Sequence, residues 1–266
     1  MRLRPLIPTN IPDMKKLILL ACFVSSVVTT AFAQPRDSFD LDFELYKRQK
    51  IWDVGGGAFG YQYDFKDMDM ALNLAGLTGH FQYSGGFSFS ARMSDSISPA
   101  ANEVAFFLNF YSANNSVVNG TAALYRDIVV MDRALFDVLR KKRMFKIYPY
   151  IGLGVGWQRL RTYTGLSNSG NLSQTINQNV SMRQFSSVFV PVEVGISIEF
   201  GIKFKRFDLF IAPRGGYGYR IWQSDWLLNN DVQIDLPEPG RWAPFAGLDF
   251  RIKTDPQRSW CGKCRK

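Results

Sequence analysis

Ten residues constrain this chain more than any others: Tyr148-Pro-Tyr-Ile-Gly-Leu-Gly-Val-Gly-Trp157. Ile151, Leu153, Val155 and Trp157 fall on one side, and Tyr150, Gly152, Gly154 and Gly156 on the other. Three glycines inside a helix would cost about 1 kcal/mol each relative to alanine. A period of two, with one apolar and one glycine-lined face, is that of a β-strand in a tightly curved sheet.

The same period recurs along the chain. It predicts strands over residues 51–65, 77–93, 103–112, 124–139, 145–163, 185–200, 207–222 and 242–252. The second sets Leu77, Phe81, Tyr83, Phe87, Phe89, Ala91 and Met93 on one face, against Thr78, His80, Ser88, Ser90 and Arg92. The fourth has Asp132 on the face of Ile128, Val130, Ala134, Phe136 and Val138. Either a bulge shifts its register there or 133–142 forms a short helix. Longer polar connections at 64–76, 113–123, 164–182 and 223–241 alternate with shorter ones at 94–102, 140–144 and 201–205. Long loops at one rim and short turns at the other imply an all-β fold, an eight-stranded antiparallel up-and-down transmembrane β-barrel with its termini at the short-turn, periplasmic rim.

A soluble cup of similar strand number would turn its apolar face inward. Here the polar face holds mostly Gly, Ser and Gln with few lysines, which suits a narrow lumen better than a wetted surface. Glu193, Glu199, Arg214, Arg220, Asp249 and Arg251 are expected on that face as a lumen charge network, because isolated buried charges cost several kcal/mol. Glu193 and Glu199 are about 20 Å apart along their strand, too far for paired acid–base work. An eight-stranded lumen is only wide enough for side chains to fill it.

Ahead of the barrel, residues 1–33 read as a secretory signal peptide, with Met14-Lys15-Lys16 as its basic start and Ala31-Phe-Ala33 as its cleavage site. Met14 is the expected true start. A lipidated Cys22 is disfavoured, because only about five apolar residues precede it. Loss of Arg2, Arg4, Lys15, Lys16 and Asp13 lowers the formal charge from +9 to about +6. Residues 34–50 form a periplasmic lead-in, 51–252 the barrel and 253–266 a basic periplasmic tail. No other apolar run is long enough for a transmembrane helix.

Pro149-Tyr-Ile-Gly-Leu-Gly-Val-Gly156 resembles the penultimate-hairpin strand of the small OmpA/OmpW-like outer-membrane β-barrel proteins of Gram-negative bacteria. Gly247-Leu-Asp-Phe250-Arg-Ile252 is similar to the C-terminal signal read by the barrel-assembly machinery. The resemblance implies a fold, an outer-membrane location, and lipid and that machinery as partners; it implies no one activity. The chain departs from it by continuing fourteen residues past Ile252.

Chemistry has few candidates. His80, the only histidine, is expected on the lumen face. Barrels resembling lipid A deacylases require His-x-Ser with an acidic partner, whereas this chain has His80-Phe-Gln82. Trp260-Cys-Gly-Lys-Cys264 resembles a thioredoxin motif, but that chemistry needs a helix N-terminus in a βαβ fold. A disulfide between Cys261 and Cys264 is the plain expectation, and two thiolates alone hold a metal poorly. Basic residues gather at the short-turn rim: Arg140 to Arg143, Lys203, Lys205, Arg206, Lys253 and the tail. They suit lipid phosphates, or docking of an acidic periplasmic protein or the cell wall. Nucleic acid does not fit this compartment. The expectation is a barrel without catalysis, metal or cofactor, in a structural, adhesive or assembly role. The rivals are a narrow conduit for small or apolar solutes and a lipid-modifying enzyme.

Overall fold

A computed structural model describes residues 50–77, 80–95, 99–113, 121–139, 144–164, 181–204 and 207–253. The expected signal peptide, nearly all of the expected lead-in, the 140–143 basic run, residues 165–180 of the third long connection, Lys205, Arg206 and the expected tail beyond Lys253, with Cys261 and Cys264, lie outside the described residues.

Eight long antiparallel strands close on themselves. They are β1 (Lys50–Tyr61), β2 (Phe81–Asp95), β3 (Ala100–Ala113), β4 (Thr121–Phe136), β5 (Phe145–Thr164), β6 (Ser181–Lys203), β7 (Asp208–Gln223) and β10 (Trp242–Lys253). Each pairs with its neighbour in the chain; β10 pairs with β7 on one side and with β1 on the other, from Asp53 opposite Lys253 to Tyr61 opposite Phe245. No edge strand is left in the ring, which removes the template for aggregation that an open sheet presents.

Side-chain alternation then sorts every residue into wall or lumen. Along β4, Tyr125, Asp127, Val129, Met131, Arg133 and Leu135 are buried, while their neighbours lie outward. Large apolar side chains cover the exterior: Phe87, Phe89, Val104, Val130, Ile151, Val194, Ile196 and Phe250 are all exposed. Exposed Trp52 and Phe200 lie towards the rim that carries the chain ends, and Trp222 and Trp242 towards the other. A soluble barrel does not expose contiguous apolar surface on this scale. Hydrocarbon outside and charge inside is the polarity of a barrel that crosses a membrane, with aromatic girdles at its two interfaces.

Three expectations require correction. Asp132 causes neither a bulge nor a helix: β4 runs unbroken through it, opposite Val104 and Leu153, with the carboxylate on the outer face. The ladder there is complete on both sides, and that outweighs one misplaced polar residue. The second strand does not keep one face throughout. Its register against β3 shifts between Tyr83 and Gly85, where Gly85 adopts a φ of 148° that few side chains tolerate. Phe87 and Phe89 therefore point to lipid while Phe81 is buried against Phe65 and Tyr125. The first strand also ends early, at Tyr61, and Tyr63 and Phe65 fold inward behind it.

Two connections hold structure of their own. The first contains α1 (Lys66–Leu74), with Asp67 and Asp69 in its first turn, where the helix dipole favours carboxylates. Met68 and Leu72 are buried beneath it, and Met70 and Leu74 are exposed. The last contains a small hairpin, β8 (Trp226–Leu228) and β9 (Val232–Ile234), which extends the sheet from β6. Asn229 and Asn230, with φ of 50° and 69°, make its turn.

Candidate functional site

The lumen holds tiers of side chains. Nearest the chain ends, Arg92 donates to Asp53 at 2.8 Å and, through both terminal nitrogens, to Glu199 at 2.6 and 3.0 Å. Arg251 donates to Asp53 at 2.6 Å and to Ser90 at 3.0 Å, and it pairs with Glu103 at 2.6 Å. Glu103 also takes Arg133 and Arg214, each at 3.0 Å. Arg133 reaches both oxygens of Glu193 at 2.7 and 2.9 Å, and Arg214 pairs with Asp249. Tyr61 and Tyr150 donate to Glu193 at 2.9 and 2.8 Å, and Ser88 to Asp249 at 2.6 Å. Four guanidiniums thus meet five carboxylates, with every side chain buried. Leaving such a charge unpaired in low dielectric is strongly unfavourable, so the groups order one another.

Above this network lies an aromatic tier of Phe59, Tyr61, Phe107, Phe189 and Phe245, with Val129 and Met131. The Arg133 guanidinium sits 4.5 Å from the Phe107 ring centre. Higher still, Arg220 donates to Gln158 at 2.8 Å and Tyr125 at 3.0 Å, lies 4.0 Å from Asp127, and stacks between Tyr63 and Phe189 at 4.1 and 4.3 Å. Burial and the Asp127 carboxylate hold the Tyr63 phenol well above its ordinary pKa. Phe65, Met68, Leu72, Phe81, Tyr111, Leu160 and Trp226 close the long-loop end.

This inside-out polarity decides the class. The chain is a membrane-spanning β-barrel. No protein-family model and no curated protein matches it. Among solved structures, a major outer membrane protein from Thermus thermophilus is 12% identical, covering 77% of this chain and 98% of that one, with a TM-score of 0.48. Neisserial surface protein A is 11% identical over 78% of this chain and 97% of its own, at 0.35. Ail, the attachment invasion locus protein of Yersinia pestis, is 10% identical over 77% and 96%, also at 0.35. At these scores nothing further rests on the likeness; the strand register fixes the closed ring.

Of the residues singled out in the sequence, Glu193, Glu199, Arg214, Asp249 and Arg251 come together, through partners absent from that set: Asp53, Arg92, Glu103 and Arg133. Arg220 stands apart with Asp127, Gln158 and Tyr125. Strand parity alone could have found Asp53, Arg92 and Glu103. Arg133 was hidden by the ambiguity at Asp132. His80 is not a lumen residue. It precedes β2 at the outer rim, its side chain 77% exposed, with Nδ1 3.3 Å from Asp69. The same carboxylate accepts the Phe81 N–H at 3.2 Å, so it ties α1 to the start of β2. Of the basic rim, Lys203 and Lys253 are among the described residues.

Proposed function

We propose that this protein works in the outer membrane as a closed barrel without catalysis, a rigid platform for structural, adhesive or assembly contacts made by its loops. The filled lumen carries this reading. Ion pairs and then aromatic rings occupy the cross-section in succession, and Glu103, Arg133, Phe107 and Phe189 have at most 1% of their surface accessible. Such a stack disfavours a solute conduit, since passage would require breaking several buried pairs at once. Contacts then fall to the outer rim, where Met70 and Leu74 on α1 and Val232 on β9 are exposed, and to the basic periplasmic rim, which suits an acidic protein or the cell wall.

Purified protein in a planar bilayer is expected to show no conductance steps above the baseline of empty bilayers. Reproducible steps from the wild-type protein would overturn the closed reading in favour of a channel. Outer-membrane fractionation with heat-modifiable gel mobility tests the location and fold separately.

A further inference from the structure

The outer wall on the long-loop side carries a cluster of positive charge with no carboxylate paired to it among the described residues. Arg126 on β4 lies directly opposite Arg159 on β5, and Arg161 follows two residues along, opposite Leu124. All three share the face of Ile128 and Trp157, away from the lumen. Like charges directly opposite one another in a sheet are destabilising, so the arrangement calls for an anion. Among the described residues none of the three pairs with a carboxylate. The connections beside them, 114–120 and 165–180, contain no Asp or Glu. The Nε atoms of Arg126 and Arg159 are buried and have no hydrogen-bond partner, whereas Arg161 donates through Nε to Gln184 at 3.2 Å. The Trp157 ring supports the cluster from below, with Arg159 4.1 Å and Arg126 6.0 Å from its centre.

From this geometry we infer that Arg126, Arg159 and Arg161 bind the phosphate of a phosphorylated lipid headgroup in the outer leaflet. Guanidinium forks match phosphate oxygens in shape and charge. The site opens sideways from the wall at the tryptophan level, where a headgroup lies. Below it Ile128, Val130, Val155 and Val188 continue as apolar wall for the acyl chains. The inference rests on the membrane reading of the barrel with its long loops outside.

The test titrates detergent-refolded barrel with diphosphoryl lipid A, with the same lipid dephosphorylated, and with inorganic phosphate. Wild-type protein is expected to bind the diphosphoryl lipid about tenfold or more tighter than the Arg126→Gln/Arg159→Gln/Arg161→Gln variant, as befits loss of several charge-assisted bonds. The dephosphorylated lipid should not distinguish the two proteins, and inorganic phosphate should not displace the lipid. Equal binding by wild type and variant would overturn the proposal, as would inorganic phosphate binding at the same affinity. A fully folded lysine triple variant keeps the charge but loses the fork, so it should bind more weakly than wild type and more tightly than the glutamine variant; binding no tighter than the glutamine variant would count against an anionic ligand. Heat-modifiable mobility of each sample reports the barrel, so failure of the membrane fold is read apart from failure of the site.

Discussion

Replacing Arg133 with methionine is expected to cost the barrel about 3–5 kcal/mol, the usual penalty for removing one partner of a buried ion pair. Methionine keeps much of the volume, so the loss reports charge rather than a cavity. Arg133 is the cation on Glu193, which otherwise holds only the hydroxyls of Tyr61 and Tyr150. Glu103, its other partner, keeps Arg214 and Arg251. The damage therefore concentrates on Glu193, which is fully buried. A second substitution, Glu193→Gln, should recover most of the loss, because removing both charges is far less costly than orphaning one. Urea titration of refolded protein, followed by tryptophan fluorescence, measures both variants. A double variant no more stable than Arg133→Met would mean that the two groups are not coupled and that water reaches them in the native lumen.

The legible part of this structure was what period two can encode. All eight ring strands and their alternation of long and short connections followed from it, because wall and lumen impose opposite solvents on successive residues. What escaped was what breaks the period. The shift at Ser84 and Gly85 turns Phe81 inward, and an unbroken count of alternate residues cannot register one extra residue. Asp132 is the converse case, a polar residue on the outer wall that imitates the signature of irregular backbone. Only the ambiguity at Asp132 touches the charge network, since Ser88, Ser90 and Arg92 hold the lumen face that their alternation predicts. It makes Arg133 part of a possible helix, and alternation within one strand names no partners on β1 and β3 across the ring. Pairs such as Arg92 with Glu199 and Arg214 with Glu103 are separated by 107 and 111 residues, and only ring closure brings them together. Helix α1 is illegible for another reason: it is nine residues long and borrows its stability from the lumen plug beneath Met68 and Leu72.

The glycine row of β5 yields a graded prediction. An alanine methyl at Gly154 would lie 2.5 Å from the Val130 carbonyl oxygen, which belongs to the ladder and cannot move without distorting it. At Gly156 it would meet the Phe189 ring at 2.2 Å. That ring is fully buried and carries the Arg220 guanidinium 4.3 Å above it, so it has little room to swing. At Gly152 the first obstacle is the Met131 thioether at 2.7 Å, the adaptable end of a flexible side chain. Alanine at 154 and 156 should thus each cost about 2–3 kcal/mol, near the upper range for overpacking, and alanine at 152 about 1 kcal/mol or less. Shortening the obstacle should rescue only one of them. Gly156→Ala combined with Phe189→Leu should be markedly more stable than the sum of the single losses predicts, with coupling of about 1 kcal/mol or more for residues in direct contact. Combining Gly154→Ala with Phe189→Leu should be close to additive. If the three alanines cost the same, and neither pair couples, the glycines serve only the curvature of the strand. If the grading holds, each glycine is a seat for a particular neighbour, and the row fixes where the aromatic tier closes the lumen.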